Sequence, residues 1–260
     1  MEDLQIETLL TLCRTGTAEE QCKAIVDLEE LRAREAVPVL LGLASSPYPG
    51  VRANVASALG VLGSCESVAP TLLSLLDDPD ALVRVMAIQS LEELRCAECV
   101  PHLIQHLASD PDALVRLQAA ETLGASKDRA ALPPLTSALG DPDAGVRSYA
   151  AESLGQLGER GVMPELRALL AVEQDPIVRA SVYQSLYQLG DEEALAPLLD
   201  GVDGVDDQTA AVMLNMAARV TRPQQADLLR SRLQALRRSR PALEGETASL
   251  LRKVPGPAPE

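Results

Sequence analysis

The stretch DDPDALVR, Asp77–Arg84, recurs along the chain with little change. It returns as SDPDALVR at Ser109–Arg116, as GDPDAGVR at Gly140–Arg147 and, in a looser form, as EQDPIVR at Glu173–Arg179. The valine of each Val-Arg pair falls at steps of 32, 32, 31 and 32 residues, through Val51, Val83, Val115, Val146 and Val178. A fixed period of this length is the signature of a repeat architecture, in which each repeat is one small unit stacked on the next.

Each period predicts two helices joined by the quoted turn. A proline keeps the same interval as the Val-Arg pair. Because the N–H that proline lacks would be unpaired in a first turn, the first helix is expected to begin near it. In the second helix, Val83, Ala87 and Leu91 lie four residues apart, on one face of an α-helix. The aspartates of the turn are suited to cap that helix.

The composition favours helices packed closely together. The chain has 260 residues, of which 47% are hydrophobic, yet it contains no Phe, no Trp and four Tyr. Interiors of Leu, Val, Ala and Ile suit packed helices, whereas sheets favour β-branched and aromatic residues. The net charge of -15 argues against nucleic acid as a ligand, since phosphate binding depends on Lys and Arg. We therefore expect an all-α protein that binds no nucleic acid.

Three sequence features bear on the cellular compartment: apolar runs, the charge of the first residues and the cysteine count. It has no apolar run of the roughly 18 residues that a membrane span needs, so we expect no membrane association. The first residues, MEDLQIETLL, are acidic, whereas a secretory signal is positive. The five cysteines are odd in number and follow no framework, as expected of reduced thiols. These features predict a cytoplasmic protein.

The repeat weakens towards both ends. We expect regular repeats over residues 36–190, an N-terminal cap over 1–35 and a divergent C-terminal cap with a basic helix over 191–253. The cap over 1–35 includes TAEE at Thr17–Glu20, a capping box at the start of a helix. Residues 1–253 are expected to form a single solenoid, whose end units differ because their outer faces meet water. A disordered tail is expected at 254–260.

The period near 31 or 32, the pattern D-P-x-x-x-V-R and the following A-x-x-x-L resemble HEAT repeats. The resemblance is to the short subtype, similar to that of phycobilin lyase subunits, and it is strong over about residues 36–190. It implies a right-handed α-solenoid of about seven to eight antiparallel helix pairs. First helices would lie on the convex side, and second helices would line a concave groove.

A partner-binding surface follows if the second helices line that groove. Their outward positions are rich in amides and acids, and tyrosine is enriched at binding hot spots. We hypothesise that Tyr149, Glu152 and Tyr187 anchor a protein segment; the alternative is that they are ordinary surface. The predicted partner-binding residues are Met86, Gln89, Gln118, Glu121, Tyr149, Glu152 and Tyr187.

The arginines of the Val-Arg pairs form a second pattern, here called the Arg ladder. They could be an anion-binding strip, or each could pair with the aspartate of its own or an adjacent turn. Arginine suits such pairing because its planar fork matches a carboxylate, so the structural interpretation is favoured. The residues of this predicted inter-repeat ladder are Arg52, Arg84, Arg116, Arg147, Arg179, Asp80, Asp112 and Asp143.

The stretch CAECVPHLIQH places Cys96, Cys99, His102 and His106 at a spacing that zinc could use. In repeat register, however, Cys99 and His106 fall where other repeats carry apolar or small residues, which favours a packing role. We therefore expect no metal and no cofactor. The acidic stretch at residues 200–207 lacks the spacing of a calcium loop. No Ser or Cys is matched with a base, so no catalytic residue is predicted.

The favoured function is a non-catalytic adaptor that binds a partner protein along its concave surface. One alternative is a phycobilin lyase-like or chaperone subunit acting on a cofactor-bearing protein, as the resemblance implies. Another is an acidic inhibitor that masks a basic effector. Residues 219–253 hold nine Lys and Arg against three acids, which suggests salt-sensitive self-association, an anionic partner or a solvated helix face.

Overall fold

The computed structural model describes residues 2–254, with side chains from residue 4 onward. Over that range the chain forms helices and turns and no strand, so the predicted all-α fold is confirmed. The contacts divide the chain after Pro134 into two compact units, which are described separately. The single solenoid over residues 1–253 stays a prediction. The tail expected at 254–260 lies outside the described residues apart from Val254.

The first unit is built from helix pairs. Its helices are α1 (Glu2–Thr15), α2 (Ala18–Glu30), α3 (Val37–Leu43), α4 (Pro49–Leu62), α5 (Cys65–Leu75), α6 (Ala81–Glu93), α7 (Val100–Ser109) and α8 (Ala113–Ser126). Each odd-numbered helix packs against the even-numbered helix that follows it. The even-numbered helices also pack against one another in the order α2, α4, α6, α8. The repeats of this unit therefore stack mainly through their second helices.

The second unit repeats this plan. Its helices are α9 (Leu132–Ala138), within which the division falls, α10 (Ala144–Leu157), α11 (Met163–Val172), α12 (Pro176–Gln188), α13 (Leu195–Asp200), α14 (Asp207–Val220), α15 (Ala226–Ser239) and α16 (Glu244–Lys253). The second helices α10, α12, α14 and α16 again pack in sequence. The basic helix predicted within residues 191–253 corresponds to α15.

Aspartates begin the second helices, as the quoted turn predicts. Asp80 accepts hydrogen bonds from two backbone N–H groups in the first turn of α6. Asp112, Asp143, Asp175 and Asp206 also accept from backbone N–H groups in the first turns of α8, α10, α12 and α14. These side chains satisfy N–H groups that have no partner within the helix, and they lie at the positive end of its dipole.

Prolines stand in the first turn of α3, α7 and α11, as predicted. The prediction was wrong for α5, because Pro70 lies inside that helix, which begins earlier at Cys65. Ser64 and Ser67 exchange capping hydrogen bonds there. This local capping starts the helix a full turn before the proline, in place of the 3-10 turn that precedes other first helices.

The core consists of the repeating apolar positions. Val83, Ala87 and Leu91 have no exposed surface, and the matching residues of α4, α8 and α10 are equally buried. Burying a Val or Leu side chain contributes about 1.5–3 kcal/mol. The spacing of four residues therefore determines which face of each second helix is covered by its neighbours.

Two glycines let second helices approach closely. Gly60 on α4 and Gly155 on α10 face Ser90 and Ser185 of the following second helix. Ser90 Oγ donates to the backbone carbonyl of Ala56 at 2.8 Å, and Ser185 makes the equivalent bond at 2.8 Å. A Cβ atom at Gly155 would lie only 2.8 Å from the Cβ of Ser185. A larger residue would force these helices apart.

The Arg ladder joins successive repeats within each unit. Arg52 donates from Nε and Nη2 to the carboxylate of Asp78, at 2.6 and 2.7 Å. The same fork joins Arg84 to Asp110 at 2.9 and 2.7 Å, and Arg147 to Glu173 at 2.7 and 3.2 Å. All five ladder arginines also donate from Nη1 to the backbone carbonyl six residues earlier.

The ladder acids differ from those expected. Asp80, Asp112 and Asp143, which the sequence assigned to the ladder, are helix caps. The carboxylates that pair with Arg52 and Arg84 are those of Asp78 and Asp110. Each lies two residues before the aspartate that caps the next second helix. The cap position faces the N–H groups of its own helix, so its oxygens are already engaged and the neighbouring acid is left to meet the arginine.

The ladder is ionised in the folded protein. Burial alone would raise the pKa of Asp110, but hydrogen bonds from Arg84, from a backbone N–H and from His106 together lower it. Burial would also raise the pKa of Asp78, but hydrogen bonds from Arg52 and from the backbone N–H of Asp80 lower it. For Glu173 the hydrogen bond from Arg147 is the main cause of a lowered pKa.

Candidate functional site

Three of the predicted partner-binding residues lie together in the first unit. Gln89, Gln118 and Glu121 line a groove of about 910 Å³. The groove runs between the C-terminal halves of α6 and α8, and the 3-10 turn Ala97–Cys99 forms part of its wall. Met86, predicted for the same surface, is not part of its lining. A groove of this size is large enough to hold several side chains of a partner.

Amide side chains tie the two helices of the groove together. Gln89 Nε2 donates to Gln118 Oε1 at 2.9 Å, and Gln118 Nε2 donates to Glu121 Oε2 at 3.2 Å. Gln118 is only 8% exposed, so its prediction as a surface contact was wrong. The close stacking of α6 and α8 explains this, because the Gln118 amide is hydrogen-bonded to Gln89 and Glu121 of the same unit. Gln89 and Glu121 remain half-buried.

The groove is acidic. Besides Glu121, its lining includes Glu92, Glu93 and Asp128 against a single cation, Arg95. Thr122 Oγ1 donates to Glu92 Oε2 at 2.7 Å, which holds that carboxylate in place. Carboxylates gathered in a concave surface concentrate the negative field and attract cationic groups.

The residues Glu92, Thr122 and Asp128 were missed by the sequence argument. The contacts predicted on α6 and α8 lie in the middle of those helices, whereas the groove opens at the helix ends. The usable signal was that acids accumulate in the last turn of α6, as Glu92 and Glu93, just before a tight turn.

Two cysteines in the groove wall offer little nucleophilic chemistry. Cys96 is bonded to Cys65 in a disulfide. Cys99 is a free thiol with 4% exposure. Burial, together with the charge of Glu92, raises the pKa of Cys99 to about 11. Since the thiolate is the nucleophile, this group is protonated and unreactive at neutral pH.

The disulfide corrects the expectation of reduced thiols for Cys65 and Cys96. The two residues hold the same position one repeat apart, 31 residues along the chain. Stacking of the repeats brings their Cα atoms to 5.7 Å, within the range that a disulfide requires. Distance along the chain did not reveal this pairing, which depends on how the repeats stack.

The Cys/His stretch does not assemble as a metal site would. Cys96 is committed to the disulfide, His102 is exposed, and His106 donates from Nδ1 to Asp110 Oδ2 at 3.0 Å. No three His, Cys, Asp or Glu side chains converge as metal ligands within residues 4–254. His106 instead supports a ladder carboxylate.

In the second unit, Tyr187 is a core residue. It is 1% exposed, so its prediction as a partner anchor was wrong. Its hydroxyl accepts a hydrogen bond from the backbone N–H of Arg222 at 3.1 Å, and the Arg222 guanidinium lies 5.3 Å from the ring centroid. The turn between α14 and α15 covers the ring. Tyr149 and Glu152 are half-buried, and Glu152 accepts a hydrogen bond from Ser181 at 3.0 Å.

The basic C-terminal segment is largely paired within its own unit. Arg232 and Arg240 bind Asp203 and Asp207 of the acidic stretch at residues 200–207. Three more ion pairs follow: Arg222 with Glu192, Arg230 with Asp227, and Arg237 with Glu244. The acidic stretch thus holds α15 in place. Self-association through the basic segment stays a prediction.

The described helices include none with the length and apolar character that crossing a membrane requires.

The sequence profile of HEAT repeats matches residues 6–92, 69–152 and 132–217. No curated protein matches the chain.

Solved structures of similar fold include the complex of CpcE and CpcF of phycocyanin lyase from Nostoc sp. PCC7120. That likeness has a TM-score of 0.62 at 20% identity, and it covers 84% of this chain and 93% of the other. YibA of Escherichia coli gives 0.58 at 18% identity, covering 97% and 94%. An engineered protein gives 0.52 at 20% identity, covering 72% and 98%. At these identities the likeness is one of fold, and with the matched repeats it shows that the chain belongs to the HEAT-repeat family.

Proposed function

We propose that the protein is a non-catalytic interaction module that holds a basic segment of a partner protein in the acidic groove of its first unit. The observation that carries the proposal is a groove of about 910 Å³ lined by Glu92, Glu93, Glu121 and Asp128. HEAT repeats commonly bind proteins along extended surfaces. The acidic groove indicates which kind of partner segment would bind, because lysine and arginine side chains complement its negative charge.

The expected alternatives differ in their support. An acidic inhibitor that masks a basic effector would use the same groove, and the partner's activity would distinguish it from an adaptor. A lyase-like role finds less support: as far as residues 4–254 show, the groove lining includes no aromatic side chain. Its one free thiol, Cys99, is held protonated by a raised pKa. The likeness to the phycocyanin lyase complex concerns the fold alone.

The proposal is tested with a fluorescent Lys/Arg-rich peptide and the full chain, by anisotropy. Binding should saturate and weaken as salt is added, because partly exposed charges are screened. Replacing Glu92 and Glu93 by Gln keeps the acceptor for Thr122 and removes two charges. Each exposed charge contact is worth up to about 1 kcal/mol, so the double variant should bind roughly 5- to 30-fold more weakly.

The matched control replaces Glu35 and Glu66 by Gln, two exposed acids of the same unit outside the groove lining. This control changes the net charge equally and should leave affinity within about twofold of the unmodified chain. Equal weakening by both double variants would mean that net charge, rather than the groove, attracts the peptide. No binding at low salt would refute the proposal.

A further inference from the structure

The Arg ladder is incomplete at its last arginine. Arg179 keeps the backbone contacts, donating from Nη1 to the carbonyls of Glu173 at 3.1 Å and Leu170 at 2.9 Å. Its Nη2 lies 3.4 Å from the hydroxyl of Tyr183, and its Nε makes no hydrogen bond. Among the described residues no carboxylate lies within ion-pair distance of it. The edge that binds a carboxylate in Arg52, Arg84 and Arg147 therefore meets no carboxylate here, and only its Nη2 has a partner, the Tyr183 hydroxyl.

The reason is found in the next repeat. The ladder acids Asp78, Asp110 and Glu173 each stand two residues before the aspartate that caps the following second helix. The cap of α14 is Asp206, so the matching position is Gly204. Counting instead the 26 residues that separate the other ladder pairs gives Val205. Neither residue carries a carboxylate.

The acids nearest in sequence are engaged elsewhere. Asp203 pairs with Arg232, Asp207 pairs with Arg240, and Asp206 caps α14 through Thr209. Helices α12, α13 and α14 pack around this point. The acids closest in sequence to the missing ladder position are therefore committed to other partners.

A small pocket opens beside the guanidinium. It has a volume of about 150 Å³ and is lined by Arg179, Tyr183, Gln174, Pro176 and Met213, among others. Because a liquid water occupies about 30 Å³, the pocket has room for a carboxylate group. The Tyr183 ring centroid lies 5.9 Å from the guanidinium carbon, a cation–π contact. A Cβ atom at Gly204 would meet no atom within 4 Å, so the position is also sterically open.

We propose that Arg179 and its pocket bind a glutamate or aspartate side chain of a partner protein, which completes the ladder from outside. The pairs Arg52–Asp78, Arg84–Asp110 and Arg147–Glu173 show the binding geometry: Nε and Nη2 donate in parallel to the two carboxylate oxygens. Arginine is suited to this because its donors form a rigid fork. The site lies in the second unit and is independent of the acidic groove of the first.

The experiment follows the Nε–Hε signal of Arg179 by NMR in the full chain, assigned through its loss in Arg179→Lys. The probe is the blocked tripeptide acetyl-Gly-Glu-Gly-amide, and its Gln counterpart is the neutral control. We expect a saturable shift of the Arg179 signal with a dissociation constant in the millimolar range. The Gln peptide should cause none, and the Arg147 signal should not move, because Glu173 already occupies its fork.

Two variants test whether the open ladder position is the cause. Gly204→Glu supplies an internal carboxylate and should abolish the peptide-dependent shift, whereas Gly204→Ala should retain it. The open space around Gly204 lets both variants fold. The proposal is overturned if the Glu peptide gives no saturable shift, if the Gln peptide or Arg147 responds equally, or if the shift survives unchanged in Gly204→Glu.

Discussion

The ladder pair Arg84–Asp110 should be among the most sensitive polar contacts of the first unit, and replacing Asp110 by Asn tests this. The two side chains are 9% and 2% exposed and meet through two charge-assisted hydrogen bonds. Asp110 also accepts hydrogen bonds from His106 and from the backbone N–H of Asp112. Asparagine has nearly the same shape but carries no charge and only one acceptor oxygen.

The expected cost follows from leaving a cation buried without its counter-ion. Removing one partner of a buried ion pair typically costs 3–5 kcal/mol. We take the lower end, about 3 kcal/mol, because Arg84 keeps its bond to the backbone carbonyl of Asp78 and the asparagine oxygen still accepts. With a urea m-value of about 2–3 kcal/mol/M, the unfolding midpoint should fall by roughly 1–1.5 M.

The assay is urea unfolding of the full chain followed by circular dichroism. The control is Asp77→Asn, an acid of the α5–α6 turn whose side chain is 77% exposed, which should change stability by less than about 0.5 kcal/mol. A double-mutant cycle with Arg84→Met isolates the pair, and its coupling energy should be about 1–3 kcal/mol. If Asp110→Asn costs no more than Asp77→Asn, or if the coupling is near zero, the ladder does not stabilise the stack.

Two further predictions concern stability. The ladder carboxylates have a lower pKa in the folded than in the unfolded chain. They therefore stabilise the fold above an unfolded pKa of about 4, and this stabilisation is lost as the pH falls through the folded pKa. The urea midpoint should be nearly flat between about pH 7 and 5 and drop below pH 4; a loss of stability mainly above pH 6 would contradict this. Gly155→Ala should destabilise the protein by about 1–3 kcal/mol, because the added Cβ would collide with Ser185. Gly245→Ala, whose Cβ meets open space in α16, should be neutral or slightly stabilising. Equal changes in the thermal unfolding temperature of both variants would show that the helices are not closely packed at Gly155.

The candidate groove could be predicted only in part. Gln89 and Glu121 were identified because they occupy outward positions on a repeated helix, and that pattern is local. Glu92 and Asp128 were missed because the groove opens where two helices end, and its outline depends on how those ends pack. Tyr187 was assigned to the surface because it lies beside the outward positions of α12. The α14–α15 turn, from an irregular part of the chain, covers it.

The sequence by itself determined the helices, their caps and the buried face, since each depends on residues within one repeat. Asp80 caps α6 through its own first turn, and Val83, Ala87 and Leu91 share a face whatever the neighbours are. Only the tertiary structure decided which partners meet between repeats. The Arg84–Asp110 pair spans 26 residues and the Cys65–Cys96 bond spans 31, and such distances are settled by how one helix pair stacks on the next.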